Sequence, residues 1–265
     1  MNGRIQPGTD DIRARHIKRQ QQHMRMMKRR RIVFFSVLAV IVVIIVLFFT
    51  PLFNIKSINI SGNSKIDAAV IKQAIGSVEE ENLFRLDKKK IIKNIKALPY
   101  ADDAQIKKTV FPVGLEVTVE ECIPVCYIPY KEGYVILDKN FRVLEITETP
   151  FEGISEIAGI GIASATPAAV LSPDDNDKQS MAIECIASLI DHNIMSGVVK
   201  LDLSDTSNIV FNYENRLNVL CGSTVDFSKK ISMFTKAVLN STKLNENSRG
   251  TIDLYSISGK AIYTP

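Results

Sequence analysis

The fold of the first half of this chain is decided by the stretch Phe111-Pro112-Val113-Gly114-Leu115-Glu116-Val117-Thr118-Val119-Glu120-Glu121-Cys122-Ile123-Pro124-Val125. Within it, Leu115, Val117 and Val119 alternate with polar residues, which is the period-two pattern of a strand with one buried face. Pro and Gly in the preceding turn, 112–114, separate this strand from another predicted at Asp103–Phe111. The stretch therefore predicts two consecutive strands joined by a short turn.

The residues before these strands complete a β-α-α-β-β order. A strand is predicted near 54–61, where two isoleucines alternate with polar residues. A helix is predicted at Ile66–Ile75 from four apolar residues at helical spacing: Ile66, Ala69, Val70 and Ala74. A second helix, Lys88–Leu98, carries lysines on its outer side and ends before Pro99.

This order and the motif at 111–125 resemble the FtsQ/DivIB family of bacterial cell division proteins, whose POTRA domain has the same arrangement. Glu121 and Pro124 match the family's pattern aromatic-Pro…Leu-x-Ile-x-Val-x-Glu-Arg-x-Pro-Val. Cys122 stands where that family usually has Arg, and Cys126 where it often has Ala. The resemblance implies a POTRA domain at 54–122, followed by the family's β domain at 123–265.

A single long apolar stretch, Ile32–Phe49, contains no charge and only one hydroxyl, at Ser36. Continued to Phe53, it forms a helix of about 33 Å, which is enough to cross a hydrocarbon core of about 30 Å. A soluble helix of this length normally has a polar stripe, and this stretch has none. The sequence therefore predicts a transmembrane helix at 32–53.

Charge is distributed unevenly about this stretch. Residues 1–31 hold ten Lys or Arg and two Asp, a net charge of +8, whereas residues 32–265 hold 23 basic and 27 acidic residues, a net charge of −4. Because basic flanks stay in the cytoplasm, we expect a cytoplasmic tail at 1–31 and the remaining chain outside the cell membrane. A cleaved signal peptide is the alternative, but Thr-Pro-Leu-Phe at 50–53 lacks the small residues of a cleavage site.

The basic tail has two interpretations. It can set the topology and attract the lipid bilayer, or it can bind nucleic acid or a partner. We favour the first, since an inserted helix needs such a flank. The acidic balance of the remaining chain also argues against a nucleic-acid-binding protein.

The second half has the pattern of a mixed α/β domain with a mainly antiparallel sheet, which makes the whole chain an α+β protein. A hairpin is predicted at Gly133–Ile146, and residues 147–173 are expected to be irregular. The remaining predicted elements are a helix from Asp175 to His192, strands at 198–203, 209–211 and 217–220, a helix at Asp226–Leu239, and final strands at 250–255 and 260–263.

Residues that carry chemistry are few outside the membrane. There are four cysteines and one histidine: Cys122, Cys126, Cys185, Cys221 and His192. An even cysteine count permits disulfides, although burial as small apolar side chains is the favoured interpretation. One histidine is too few for a metal cluster, and no Ser-x-x-Lys or Gly-x-Ser-x-Gly motif occurs. We therefore expect no enzyme, metal or cofactor, unless distant acidic residues converge as a carboxylate pair.

The remaining mechanism is recognition of other proteins, since an edge strand can pair with a strand of a partner. The resemblance implies a bitopic scaffold at the division septum that receives FtsL and FtsB (DivIC in Gram-positive bacteria) and influences peptidoglycan synthesis. It implies partner binding at the C-terminus by Thr251, Ile252, Asp253, Leu254, Tyr255, Lys260, Ala261, Ile262 and Tyr263. We expect side-chain contacts at Ile252, Leu254, Tyr255 and Tyr263, some of which must instead face the core. The alternative is a POTRA-bearing export or envelope-assembly factor.

Overall fold

The computed structural model describes residues 9–239, 247–255 and 260–265. The chain forms two compact units. The first contains residues 1–59, 78–87 and 108–115, and the second contains residues 60–77, 88–107 and 116–265. The division runs through the segment 54–122, because backbone hydrogen bonds hold parts of it to the residues after the N-terminal helix. Two of these bonds join Leu83 N to Phe53 O at 2.9 Å and Lys56 N to Val113 O at 3.2 Å.

Helix α1, Thr9–Phe49, begins well before the predicted membrane segment. Its part Met27–Leu47 is long and apolar enough to cross a membrane, and no other helix among the described residues is. The side chains from Ile32 to Val46 are exposed, as a lipid-facing helix requires. A short 3₁₀ turn, Pro51–Phe53, follows. The prediction of one N-terminal apolar helix is confirmed.

The elements after α1 are β1 (Ser57–Ser61), α2 (Ala68–Ile75), α3 (Lys88–Lys96), β2 (Ala101–Val110) and β3 (Val113–Glu121). The three strands form a sheet in the order β1-β3-β2. The predicted β-α-α-β-β order is therefore confirmed.

Helix α2 begins two residues later than predicted. The carboxylate of Asp67 accepts a hydrogen bond from Ala69 N at 2.9 Å and caps the helix there. Its buried residues are Ile71 and Ile75, whereas Val70 is exposed. The predicted apolar stripe was therefore wrong within the helix, because packing buries the face that carries Ile71 and Ile75 and leaves the face with Val70 exposed.

The second unit contains β4 (Cys126–Tyr130), β5 (Gly133–Leu137), β6 (Val143–Thr147), β7 (Ser155–Ala158), β8 (Ile162–Ser164), β9 (Ser172–Pro173), α4 (Asn176–Asp191), β10 (Val198–Asp202), β11 (Ile209–Tyr213), β12 (Leu217–Gly222), α5 (Phe227–Leu239), β13 (Gly250–Asp253) and β14 (Ile262–Thr264). Nine strands form one sheet in the order β14-β13-β12-β11-β10-β7-β4-β5-β6, and β8 pairs with β9. Five neighbouring pairs of the large sheet are antiparallel and three are parallel, so the mainly antiparallel sheet is confirmed.

The expectation of an irregular segment at 147–173 was wrong. Strand β7 lies within it and pairs in parallel with both β10 and β4. Its four residues include one large apolar side chain, Ile157, which is fully buried. The buried Ser155 hydroxyl donates to Val198 O at 2.6 Å. So short a strand has no visible alternation, and its place is fixed by neighbours distant in sequence.

Helices α4 and α5 pack on the large sheet and bury its main core. Edge-to-face contacts join Phe234 on α5 to Phe211 and Tyr213 on β11, with ring centroids 5.2 Å apart. Helix α4 begins directly after Asp175, whose carboxylate accepts from two backbone N–H groups, so its start is close to the predicted one. This core holds β12 and β13 in place at the C-terminal side of the sheet.

The hairpin β5–β6 contacts the end of α3 within the second unit. The guanidinium of Arg142 donates to the carbonyl oxygens of Lys96, Leu98 and Pro99 at 2.6, 2.9 and 3.3 Å. Lys96 ends α3, whose last carbonyls have no helical partners, and Leu98 and Pro99 follow it. The buried Asp138 accepts from Arg142 N at 2.8 Å and so fixes the turn that carries the arginine.

Candidate functional site

Strand β14 forms one edge of the nine-stranded sheet. Its only neighbour among the described strands is β13, with Ile252 opposite Tyr263 and Asp253 opposite Ile262. All three residues of β14 are exposed. An edge strand presents backbone N–H and C=O groups on its outer side, and these can pair with an added strand.

Exposed apolar side chains surround this edge. We call Tyr255, Ile262 and Tyr263 the edge patch, since each is an exposed large residue on or beside β14. The Tyr263 hydroxyl donates to Arg249 O at 2.6 Å, which orients its ring. Tyr255 N donates to the Asp253 carboxylate at 2.9 Å, so the chain turns directly after β13. The patch combines open backbone with large amphipathic rings, as protein interfaces commonly do.

Two of the predicted side-chain contacts lie in the core instead. Ile252 is 1% exposed and Leu254 is 3% exposed, and both belong to the main core cluster. Alternation along β13 places Ile252 on the inner face, and Leu254 follows the strand with its N–H bonded to Leu220 O at 2.9 Å. These two residues are therefore removed from the candidate surface.

The last predicted strand was also misplaced. Strand β14 is Ile262–Thr264, so Lys260 and Ala261 precede it and Thr264 was missed. Ala261 packs against the core, whereas Lys260 is exposed. Thr251 and Asp253 lie on β13 and are half-buried. The pairing of Thr264 with Thr251 places the strand, and this contact has no local sequence pattern.

Glycine at position 250 allows β13 and β14 to approach. A Cβ atom there would lie 2.2 Å from Thr264 O and 2.8 Å from Pro265 Cα, and the residue has a φ of +146°. Any side chain would therefore push against the backbone of the edge strand. The start of β13 is held in turn by Gly250 N, which donates to Arg216 O at 3.1 Å.

The opposite edge, β6, is partly covered by the chain itself. Val143 N donates to Ala169 O at 2.8 Å, and Ala168 N donates to Val143 O at 2.9 Å. Leu171 N donates to Phe141 O at 2.8 Å beside this strand. The 168–171 segment thus uses the outer hydrogen-bonding groups where β6 begins. Of the two edges, β14 is the one that the described residues leave without a second neighbouring strand or segment.

The cysteines occupy buried positions and are unpaired thiols. Burial, with a contribution from Asp138, raises the pKa of Cys122 to about 11, and burial raises the pKa of Cys185 to about 12. The pKa values of Cys126 and Cys221 are also raised by burial. Protonated, buried thiols are poor nucleophiles.

Other groups with catalytic or metal-binding chemistry are sparse. His192 ends α4, and its Nδ1 lies 2.8 Å from Ser188 O, which is a capping position. Among the residues that the structure describes, no three His, Cys, Asp or Glu side chains form a metal-binding group. Recognition through the β14 edge is what the arrangement can do.

Comparison with known proteins supports the predicted POTRA domain. Residues 53–121 match the model of the POTRA domain, FtsQ-type. The DivIB cell division protein of Clostridium tetani is 25% identical over 211 residues, which are 78% of each chain. That of Clostridium botulinum strain Hall is 26% identical over 215 residues, 80% of this chain and 82% of the relative. The cell division protein FtsQ of Corynebacterium glutamicum is 28% identical over 125 residues, 46% of this chain and 55% of the relative.

A solved structure of the major extracytoplasmic domain of DivIB from Geobacillus stearothermophilus aligns at 13% identity with a TM-score of 0.30. The alignment covers 44% of this chain and 93% of that one. A score of that size does not establish a shared arrangement.

An FtsQ-type POTRA domain behind one membrane-crossing helix defines the class, a single-pass membrane protein with a POTRA domain. Its relatives across most of the chain are cell division proteins. The chain is thus similar to the FtsQ/DivIB family of cell division proteins, and this similarity supports a role in cell division.

Proposed function

We propose that this protein is a non-catalytic scaffold of the divisome, and that the β14 edge receives an extracytoplasmic segment of FtsL or of FtsB/DivIC as an added strand. The observation that carries the proposal is the open edge strand Ile262–Thr264 with its exposed side chains. Backbone pairing supplies affinity in such complexes, and side chains beside the strand supply selectivity. The edge patch fits the second role.

The proposal includes a topology. Residues 1–31 lie in the cytoplasm and 32–53 cross the membrane, since the basic flank precedes the apolar stretch. The POTRA domain (54–122) and the β domain (123–265) lie outside, at the division septum. There the bound partners connect the scaffold to septal peptidoglycan synthesis.

A matched pair of charge substitutions tests the site. Ile262 on β14 and Ile146 on β6 are both 46% exposed, and they lie at opposite edges of one sheet. Ile262→Asp should weaken binding of the FtsL–DivIC pair to the full-length protein in detergent by at least about tenfold, because the partner strand would bury an uncompensated charge. Ile146→Asp should leave binding unchanged.

Equal affinities for the two variants would overturn the assigned edge. Depletion of the protein in cells tests the role itself, since a divisome scaffold requires that the cells become filaments. A defect in envelope export without filaments would instead support the alternative, an export or assembly factor. Turnover of cell-wall fragments by the purified protein would contradict a non-catalytic scaffold.

A further inference from the structure

The loop 78–87 is fixed to the end of α1 within the first unit. The buried Asn82 side-chain amide donates to Leu47 O and Thr50 O, each at 3.1 Å. Leu47 lies in the last turn of α1, and Thr50 directly follows the helix, where its carbonyl also accepts from Phe53 N at 3.4 Å. Leu83 N and Phe53 O form a further bond of 2.9 Å. The loop therefore stays where the chain leaves the membrane.

The turn between β2 and β3 lies in the same unit. Lys56 N donates to Val113 O at 3.2 Å, and the Lys108 ammonium donates to Leu86 O at 3.3 Å. Lys56 comes only seven residues after Phe49, the last residue of α1, and a 3₁₀ turn shortens that path. The β2–β3 turn is thus held close to the membrane end of the helix.

The tip of this turn is apolar. Phe111 is 91% exposed, the largest exposed fraction of any large apolar side chain among the described residues. Further exposed apolar residues in the same unit lie at the helix end, on the loop and on the turn: Phe49, Leu52, Phe84 and Val110. We call these residues with Phe111 the membrane collar. An exposed apolar patch that continues a membrane helix calls for an apolar environment.

We propose that the membrane collar inserts into the interfacial layer of the bilayer, with Phe111 as its deepest contact outside α1. The hydrogen bonds above hold the loop and the turn near the end of the membrane helix, and the headgroup layer adds only about 6 Å on each side of the hydrocarbon core. Aromatic rings favour this layer. The Arg85 guanidinium lies 5.7 Å from the Phe49 ring centroid, which places a cation beside that ring as at a headgroup boundary.

Electrostatic attraction does not drive the proposed contact between the membrane collar and the bilayer. Past the helix, the first unit carries three basic residues (Lys56, Arg85 and Lys108) and four acidic residues (Glu79, Glu80, Glu81 and Asp87). With charges so nearly balanced, anionic lipid gives little attraction. The binding should therefore occur on zwitterionic lipid and persist at high salt.

A single tryptophan tests the insertion, since the chain has none. Full-length Phe111→Trp, in nanodiscs of phosphatidylcholine with brominated acyl chains, should show blue-shifted emission quenched by at least about twofold. The control is Val225→Trp, whose site is 69% exposed and lies between β12 and α5. Its emission should match that of a fully hydrated indole and stay unquenched. Salt at about 0.5 M should change neither result, because it screens charges and not apolar contacts.

Equal emission from the Phe111→Trp and Val225→Trp variants would overturn the proposal. So would quenching that develops only after FtsL and DivIC are added, because the collar would then be a protein-binding surface. Should Phe111→Trp fail to fold, Val110→Trp at the end of β2 gives an independent reporter with the same expected result. The nanodisc contains no division partner, so these outcomes are independent of the proposed role of β14.

Discussion

The two edges of the nine-stranded sheet differ in how far the described residues of the chain cover them. At β6, the 168–171 segment bonds to the first residues of the strand, and Arg142 joins the adjacent turn to the end of α3. At β14, the described residues provide no such cover, and all three strand residues are exposed. Proteins usually protect sheet edges against unwanted pairing.

Under the proposed function, this difference assigns β6 to the stability of the chain and β14 to a partner. The β6 edge contributes to stability, because the outer polar groups of Val143, where the strand begins, are bonded within the chain. The β14 edge contributes little stability, since three short exposed residues bury little apolar area. Substitutions at β6 should therefore change the free energy of unfolding, and substitutions at β14 should change partner affinity.

Gly250→Ala should give the largest effect, at the β14 edge. The new Cβ would lie 2.2 Å from Thr264 O, so β14 must move away from β13. Because β14 contributes little stability, we expect it to detach from β13, which should abolish partner binding and cost no more than about 1 kcal/mol of unfolding free energy. Denaturant unfolding and partner titration measure the two. The control is Gly153→Ala, at a φ of +80° with nothing within 4 Å of its Cβ. Equal effects at both positions would mean that backbone strain, not the clash, is responsible.

Arg142→Ala should give the next largest effect, at the β6 edge. The variant removes charged donors from three carbonyls at the end of α3, which should cost about 2 kcal/mol of unfolding free energy. Binding of the FtsL–DivIC pair at β14 should remain as in the wild type. Lys139→Ala, in the same turn and exposed, is the control and should be neutral. A loss of partner affinity in Arg142→Ala would contradict the separate roles assigned to the β6 and β14 edges.

The sequence was sufficient for elements with strong local patterns. The alternation at 115–119 and the Asp175 cap of α4 each depend on residues within one element, and both elements form as predicted. The prediction missed strand β7 because the position of its single large apolar residue, Ile157, is set by pairing with β4 and β10. Such parallel pairing joins residues distant in sequence, so no short sequence pattern indicates it.

An edge strand forms at the C-terminus as predicted, but its bounds differ and two of the four expected side-chain contacts are buried. The alternating pattern shows that Ile252 lies on an apolar face of β13, but it does not tell whether that face is buried in the core or open to a partner. Packing against α5 and the neighbouring strands buries it. Thr264 carries no hydrophobic pattern, so only its pairing with Thr251 reveals that it belongs to β14. Phe111 appeared in the motif that identified the family, and its exposure emerges only when the turn is folded.

Glu121→Gln should have a smaller, pH-dependent effect on the free energy of unfolding. Glu121 is the last residue of β3 and binds the backbone at 64–66. Burial alone would raise the pKa of Glu121, but the backbone N–H groups of Lys65, Ile66 and Ser64 outweigh it and lower the pKa. A lowered pKa stabilises the fold above the unfolded value of about 4.3, and this stabilisation is lost as the pH falls through the folded pKa.

The variant should therefore lose about 1 kcal/mol at pH 7, after allowance for solvent screening, and match the wild type at a pH well below 4. Chemical denaturation across this pH range measures the difference. Glu120→Gln, on the opposite face of β3, is the control, because its nearest donor is the Gln105 amide at 3.4 Å. A difference for Glu121→Gln that did not shrink in acid would rule out the carboxylate charge as its cause.

Two substitutions at Tyr263 separate support of the edge from contact with a partner, and their effect on stability should be the smallest. Tyr263→Phe removes the hydrogen bond to Arg249 O but keeps the ring, so it should cost about 0.5 kcal/mol and leave partner affinity nearly unchanged. Tyr263→Ala also removes the exposed ring, and a ring buried by the partner should then cost about tenfold in affinity. Calorimetric titration with the FtsL–DivIC pair measures both. If Tyr263→Ala bound as tightly as Tyr263→Phe, the ring would lie outside the interface, and the open backbone of β14 would carry the recognition alone.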